Sequence, residues 1–281
     1  MKHGDQGPSI LFLCDYQAPY GGNFLASMAR LDAAVKARGG ATQYVFPAGA
    51  RDRPWFAPWT GGGRAARLLP EGSLPAQVKE LTGLIDDFHA DILHVHLGYF
   101  QQADLAGLMR PKLRLILHYH SDFSAGKNPG PGEKLRAGLR RVMECLIGRD
   151  RVTKITVSEA SARTTSDCLS IHNALVPERF TQDTLDRQAA RAMLGVAPGK
   201  KLVLVFGWSP YIKGVDVAVR AVRRLWAAGD TAHLLGVVCG RSYTREKMAA
   251  YIQEKTGSAP EDGILLLEPV EDVFRYHIAA D

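Results

Sequence analysis

The sequence predicts an α/β fold made of two successive doubly wound parallel-sheet domains, the second of them incomplete. Apolar runs of strand length alternate with helical patterns almost from end to end, which is typical of βαβ units. Runs such as "KLVLVF" at 201–206 are continuously apolar, as expected for strands covered by helices on both faces. A charged segment at 176–199 interrupts the alternation, so we place domains at 1–181 and 182–281.

The elements of the first domain follow from periodicity and from start and stop signals. The helix at 23–38 has apolar residues every three or four positions. Ser73 is a candidate N-cap for the helix after it, Pro111 ends another, and the Gly/Pro/Trp-rich stretch 47–73 predicts a loop. The predicted strands are 9–16, 42–46, 91–97, 113–120, 152–158 and 169–175, and the predicted helices are 23–38, 74–89, 101–110, 131–149 and 159–167.

The second domain shows fewer strands than a full doubly wound sheet. A complete half of this kind has nearer six strands, so we expect a bare sheet edge here. The predicted strands are 201–206, 233–239 and 263–267, and the predicted helices are 214–228, 243–256 and 270–279.

Composition narrows the class of protein. The apolar runs are too short to cross a bilayer, and the N-terminus lacks the apolar core of a signal peptide, so we expect a cytoplasmic protein. The net charge of +6 suits nucleic acid, a membrane surface or phosphorylated small molecules. No aromatic-basic repeat occurs, and we expect no nucleic-acid partner. The four cysteines lack CxxC spacing, which indicates reduced thiols rather than a zinc site.

Ligands of such sheets bind beyond the carboxyl ends of the strands, so the loops there are the candidate ligand-binding segments. After the first strand, Gly21-Gly22 permits a sharp turn close to a ligand, and Asn23 opens a helix whose free N–H groups favour an anion. A plain turn is the alternative, and no GxGxxG fingerprint is present.

A second loop of interest follows the strand at 201–206. Gly207 ends that strand, and Lys213-Gly214 begins a helix without forming a Walker motif. A cation at a helix N-terminus is unfavourable by ~0.3–1 kcal/mol, which a bound phosphate would offset. A solvated lysine is the alternative.

Two His-x-His pairs lie at neighbouring strand ends. His94 and His96 share one face of their strand, as do His118 and His120, because side chains alternate along a strand. They are either metal ligands or a set in which one histidine contacts substrate. We predict no metal ligands. Asp122 is a helix-capping or polar contact group.

The helix at 131–149 is basic and amphipathic. Such a helix can pack its apolar face on the protein core and leave its charged face in solvent. The alternative is contact with an anionic membrane surface.

Taken in order, these motifs resemble a known enzyme family. The ordered set includes "DILHVHLGYF", "LILHYHSDF", "VSEASA", "IHNALVPERF" and the G-x-x-x-x-x-KG-D signature around Lys213, and it spans residues 9 to 281. It resembles the retaining nucleotide-sugar glycosyltransferases of family four, which have the GT-B architecture. That resemblance implies two Rossmann-like domains with the active site in the cleft between them.

The resemblance also implies roles for individual residues. His120 matches a catalytic histidine near the transferred sugar, and Asn23 and His96 are placed on the acceptor side. The implied donor-binding residues are Gly21, Gly22, Gly207, Lys213, Gly240 and Glu268. The donor substrate is a UDP- or GDP-sugar, no further cofactor is expected, and a fixed cation stabilises the departing diphosphate so that no metal is strictly required.

The sequence departs from the family pattern in two ways. Trp208 stands where the family has an arginine, so one phosphate-binding charge is missing or is supplied by Arg241. The family's paired-glutamate motif would follow Asp281, so we interpret the chain as a fragment of such an enzyme.

The expected reaction is transfer of a hexose from the donor to a saccharide or lipid-linked acceptor in surface polysaccharide synthesis. Because the helix at 131–149 is basic and amphipathic, a peripheral position at the inner membrane face is also expected. Alternatives are a nucleotide-sugar epimerase of the same architecture, a metal-dependent hydrolase using the His-x-His pairs, and a non-catalytic binding module.

Overall fold

The computed structural model describes residues 7–120, 131–164, 167–177, 186–240, 242–270 and 273–281. The chain forms two compact units, Met1–Leu175 and Val176–Asp281. The domain boundary drawn from the sequence, at 181, falls within 178–185, which lies outside the described residues.

Over its described residues, the first unit is built on a seven-stranded parallel sheet with the strand order β3-β2-β1-β4-β5-β6-β7. Its order reverses between β1 and β4, as in doubly wound folds. The strands are β1 Ser9–Cys14, β2 Ala41–Pro47, β3 Ala65–Leu69, β4 Ile92–His96, β5 Arg114–Tyr119, β6 Val152–Thr156 and β7 Cys168–Ser170. The helices are α1 Gly22–Lys36, α2 Phe56–Gly61, α3 Leu74–Phe88, α4 Phe100–Met109, α5 Pro131–Ile147 and α6 Glu159–Thr164.

Strand β1 shows why the sheet is covered on both faces. Leu11 and Leu13 pack into one core cluster, with side chains of α3 and α4. Phe12 and Cys14 pack into the other, with α1 and the two tryptophans near α2. Alternate residues of one apolar run therefore enter opposite cores, which a parallel sheet under two helical layers requires.

The loop predicted at 47–73 is wrong, because the segment holds α2 and the edge strand β3. Trp55 and Trp59 are both buried and pack edge-on against Phe46 of β2. Strand β3 is hard to recognise because its five residues are mostly exposed or half-buried, as suits an edge strand. The glycines beside it favoured a loop.

The strand predicted at 169–175 is shorter than expected. The register with β6 ends at Ser170, the Ile171 N–H still donates to the Thr156 carbonyl at 2.8 Å, and residues 172–175 form no strand. The Ala174 carbonyl instead accepts hydrogen bonds from the side chains of Asn23 and Ser27 on α1. This segment is therefore tied to α1 rather than to the sheet.

A buried carboxyl on α4 makes the stability of the first unit depend on pH. Asp104 is 5% exposed, its Oδ2 lies 3.9 Å from Nε of Arg140, and burial raises its pKa to about 6 against the opposing pull of Arg140. Because the folded-state pKa is raised, this carboxyl's contribution is fully present below about pH 4 and is lost as the pH rises through about 6.

We expect Asp104→Asn, which mimics the protonated acid, to be more stable than the wild type at pH 7.5. The gain in the free energy of unfolding should be on the order of 2–3 kcal/mol and should vanish near pH 4. Denaturant titrations of both proteins at the two pH values measure it. A difference that is the same at both pH values would contradict the raised pKa.

The second unit is built on a three-stranded parallel sheet, within the described residues, with the order β10-β9-β8. The three predicted strands are confirmed as β8 Lys201–Phe206, β9 His233–Val238 and β10 Ile264–Leu267. Helices α8 and α9 cover one face through a core that includes Val219 and Met248, and α7 and α10 cover the other. The helices are α7 Arg187–Met193, α8 Val215–Ala227, α9 Arg245–Thr256 and α10 Phe274–Ala279. Among the described helices, none combines the length and the apolar character needed to cross a membrane.

Candidate functional site

Four histidines form an array on one face of the first unit's sheet, at the carboxyl ends of β4 and β5. His96 is paired in register with His118 across the two strands, and His94 and His120 lie two residues away on the same face. Ring centroids are 4.1 Å apart for His94 and His96, 4.4 Å for His118 and His120, and 4.8 Å for His96 and His118. The expectation that each His-x-His pair shares a face is confirmed.

His96 and His120 are in direct contact. Nδ1 of His96 lies 3.0 Å from Nε2 of His120, a hydrogen bond between two imidazoles. The ring of Phe24, from α1, stands edge-on to both at 5.6 Å. The structure therefore brings together the predicted catalytic residue and one predicted acceptor-side residue.

Burial keeps these imidazoles neutral. His94 and His96 are 8% and 2% exposed. Burial, reinforced by the neighbouring imidazoles, lowers the pKa of His94 to about 3 and that of His118 to about 4, and it lowers the pKa of His96 well below its usual range. Burial also lowers the pKa of His120, against a hydrogen bond with Asn173. At neutral pH each ring therefore carries one N–H and one free lone pair.

The glycine pair after β1 has structural reasons of its own. A Cβ on Gly21 would lie 3.1 Å from Leu25 Cδ1, and Gly22 has a φ of +56°, which favours glycine. Asn23 donates its side-chain N–H to the Ala174 carbonyl. The amide predicted to face the acceptor is thus engaged within the first unit.

Sequence reasoning missed the strained turn after β4. Leu97 and Tyr99 both have positive φ values, of 73° and 61°, and such backbone strain clusters at functional sites. Between them, a Cβ on Gly98 would lie 2.1 Å from Oδ2 of Asp15, the residue that follows β1. Burial raises the pKa of Asp15. In the sequence, the feature that could have indicated this turn is Asp15, an acidic residue directly after the first strand.

In the second unit, three predicted donor-binding residues follow the three neighbouring strands. Gly207 comes after β8, Gly240 after β9 and Glu268 after β10, so all lie at the carboxyl edge of the sheet. A Cβ on Gly240 would lie 2.8 Å from the Cα of Trp208, so the first two loops touch through their backbones.

Lys213 lies two residues before the start of α8, in the loop that follows β8. Its Nζ lies 4.9 Å from the ring centroid of Trp208, a cation–π contact. Within the part of the chain that the structure describes, no carboxylate lies within ion-pair distance of Lys213. The loop also exposes apolar surface, with Trp208 58% and Tyr211 82% exposed.

Glu268 is already paired. Its Oε1 lies 2.8 Å from Nε of Arg245 in the first turn of α9. Arg241 and Asp122 lie outside the described residues.

Comparison with known proteins identifies the fold. No protein-family model matches the chain, and no curated protein matches it. HepE from Anabaena, in complex with UDP and glucose, is similar with a TM-score of 0.69 and 17% identity, over 98% of this chain and 73% of that one. Sucrose-phosphate synthase from Thermosynechococcus elongatus has a TM-score of 0.68 and 16% identity, over 97% and 74%. UDP-GlcNAc 2-epimerase from Neisseria meningitidis, bound to UDP-GlcNAc, has a TM-score of 0.59 and 14% identity, over 96% and 75%.

At these identities the likeness establishes the fold. The predicted α/β fold class is confirmed: a seven-stranded parallel-sheet unit is followed by a second, smaller parallel-sheet unit, as in the GT-B glycosyltransferases.

Proposed function

We propose that the chain is a nucleotide-sugar-dependent glycosyltransferase that moves a hexose to a saccharide or lipid-linked acceptor. The observation that carries this proposal is the environment of Lys213, at the carboxyl end of the second unit's sheet. Its ammonium group lies over the ring of Trp208 and has no carboxylate partner among the described residues. A diphosphate is the anion that such an ammonium group suits. The structural neighbours add support, because the crystal structures of HepE and of the epimerase contain UDP and UDP-GlcNAc, respectively.

The second unit would hold the donor through its phosphates. Gly207 and Gly240 bring the loops close, α8 begins after Gly214 at a φ of +65°, and the first free N–H groups of α8 favour an anion. Charge that grows on the departing diphosphate is stabilised by such a preplaced cation and dipole. Trp208 takes the position of the family's arginine, and here it orients the lysine rather than adding a charge.

The first unit would handle the sugar. His120 is the candidate catalytic residue, since it lies at the carboxyl edge of the sheet beside His96 and Phe24. Retention of configuration and membership of family four belong to the same proposal, and they rest on the order of the sequence motifs. An epimerase of this architecture, which one structural neighbour favours, would convert the donor without any acceptor.

Nucleotide binding tests the donor proposal directly. We expect UDP or GDP to bind the wild type, and Lys213→Ala to weaken binding about tenfold, because a charge-assisted phosphate contact contributes about 1.5 kcal/mol or more. Isothermal titration measures both. Lys255→Ala, at the far end of α9 and paired with Glu254, is the matched control and should bind as the wild type does. Equal binding by the wild type and Lys213→Ala would overturn the role of Lys213.

Helix α5 supports a peripheral contact with anionic membrane. Leu139, Val142 and Leu146 are 57%, 56% and 66% exposed on one face of the helix, and Arg141 beside them is exposed. An apolar stripe flanked by cationic groups is what an interfacial helix presents to anionic lipid.

We expect the wild type to float with anionic vesicles and not with zwitterionic ones. Val142→Glu/Leu146→Glu should lose flotation, because it places two carboxylates on the apolar stripe. Met193→Glu, an equally exposed methionine on α7, is the control. Flotation that survives the double substitution would count against this face.

A further inference from the structure

Four buried ring nitrogens of the histidine array have no hydrogen-bond partner among the described residues. They are Nε2 of His94, Nε2 of His96 and both ring nitrogens of His118. Leaving buried polar atoms unpaired costs about 1–3 kcal/mol each. Buried polar groups nearly always have hydrogen-bond or ligand partners, so these nitrogens are available to bind an ion.

The spacing of these nitrogens suits a metal ion. One ligand nitrogen from each of His94, His96 and His118 can be chosen so that all three lie within 4.8 Å of one another. Tetrahedral zinc, with Zn–N bonds of about 2.0–2.1 Å, needs its nitrogens roughly 3.4 Å apart. Side-chain rotations that close the set by roughly 1.4 Å would achieve this.

The contact between His96 and His120 fits the same assignment. A metal-ligating histidine usually donates its other N–H to a neighbouring acceptor, which fixes its tautomer and orientation. If the proton is on Nδ1 of His96, that nitrogen donates to Nε2 of His120 at 3.0 Å, and the lone pair of Nε2 is left for the metal. His120 is then an outer partner and not a ligand.

The geometry points to a buried site for one zinc-class divalent ion, ligated by His94, His96 and His118 and oriented by His120. The donor set is all imidazole, which suits zinc, copper or nickel and not magnesium or calcium. This site departs from the expectation of no metal ligands; it lies in the first unit, whereas Lys213 belongs to the second. Three imidazoles leave the fourth position of a tetrahedral ion to a water molecule. Because Phe12 packs against His94 and His96, and Phe24 against His96, the ion would join β4 to β5 next to aromatic side chains.

Zinc binding to the intact chain tests this site. The protein is stripped with a chelator and titrated with Zn²⁺ against a competing chelating dye, and bound metal is counted by mass spectrometry. We expect one zinc per chain, a loss of affinity of at least about 100-fold in His94→Phe, and a smaller loss of about tenfold in His120→Phe, as for an outer partner. His89→Asn, which removes an exposed histidine at a helix end, should bind as the wild type does.

A spectrum of the wild type keeps the test decisive if a variant fails to fold. Co²⁺ added to the stripped wild type should give the visible absorption bands of a tetrahedral nitrogen-ligated ion, and Zn²⁺ should displace it. Absence of those bands would overturn the site. So would zinc binding that His94→Phe retains, or that His89→Asn abolishes.

Discussion

Arg151→Met is expected to destabilise the first unit by about 4 kcal/mol. The Arg151 guanidinium donates to the backbone carbonyls of Gly107, Arg110, Leu113 and Ile147, at distances of 2.7–3.2 Å. One side chain thereby joins the end of α4, the start of β5 and the end of α5. A methionine keeps much of the volume and removes every donor.

The size of the effect follows from what those carbonyls lose. A part-buried carbonyl left without its donor costs about 1–3 kcal/mol, and four carbonyls are affected, although water will reach some of them. In a unit of this size each kcal/mol lowers the melting temperature by roughly 2–4 °C. Differential scanning calorimetry should therefore show a fall on the order of 10 °C in the transition of the first unit.

A neighbouring arginine provides the control for this prediction. Arg149 lies two residues earlier and is exposed, and within the described part of the chain its guanidinium makes only a 3.9 Å contact with the Cys145 sulfur. Arg149→Met should melt within about 1 °C of the wild type, as surface substitutions usually do. Equal melting temperatures for the two variants would show that the guanidinium of Arg151 is not what joins these segments.

Most of the fold could be predicted because its signals are local and strong. Strand β1 is a continuous apolar run that serves two cores, and α8 carries apolar residues at helical spacing under a charged outer face. Strand β3 was not predicted because its residues are mostly exposed or half-buried and give no strong local signal, and its pairing with β2 is a tertiary contact. Tertiary context overrides propensity most easily at such edges.

The candidate site was predictable in its positions and not in its contacts. From the predicted strands we expected His96, His120 and Lys213 at or just beyond the carboxyl ends of strands, and the structure places them there. Which residues touch was beyond the sequence, since it depends on strand register and helix approach: His96 meets His120, and Lys213 meets Trp208. The ring of Trp208 lies beneath the Lys213 ammonium group, and no local pattern in the sequence indicates that contact.

Gly240→Ala is expected to destabilise the second unit by roughly 2–3 kcal/mol and to weaken nucleotide binding with it. The added Cβ would lie 2.8 Å from the Cα and 3.1 Å from the Cβ of Trp208. The closer of these atoms is backbone, so a side-chain rotation cannot relieve the contact, and the loops after β8 and β9 must separate. Mutual backbone hydrogen bonds between Gly240 and Tyr243, of 3.0 and 3.1 Å, resist that shift on one side.

The binding effect follows because the same loop carries Trp208, over which Lys213 is held. Displacing Trp208 moves the ammonium group away from the position where a phosphate would meet it, so affinity for UDP or GDP should fall at least as far as in Lys213→Ala. Gly83→Ala is the matched control: this glycine lies inside α3, nothing is within 4 Å of its added Cβ, and the change should stabilise the helix by about 0.5–1 kcal/mol. A Gly240→Ala protein that melts and binds as the wild type does would mean that the two loops move freely, and the backbone contact between them could then not position Lys213.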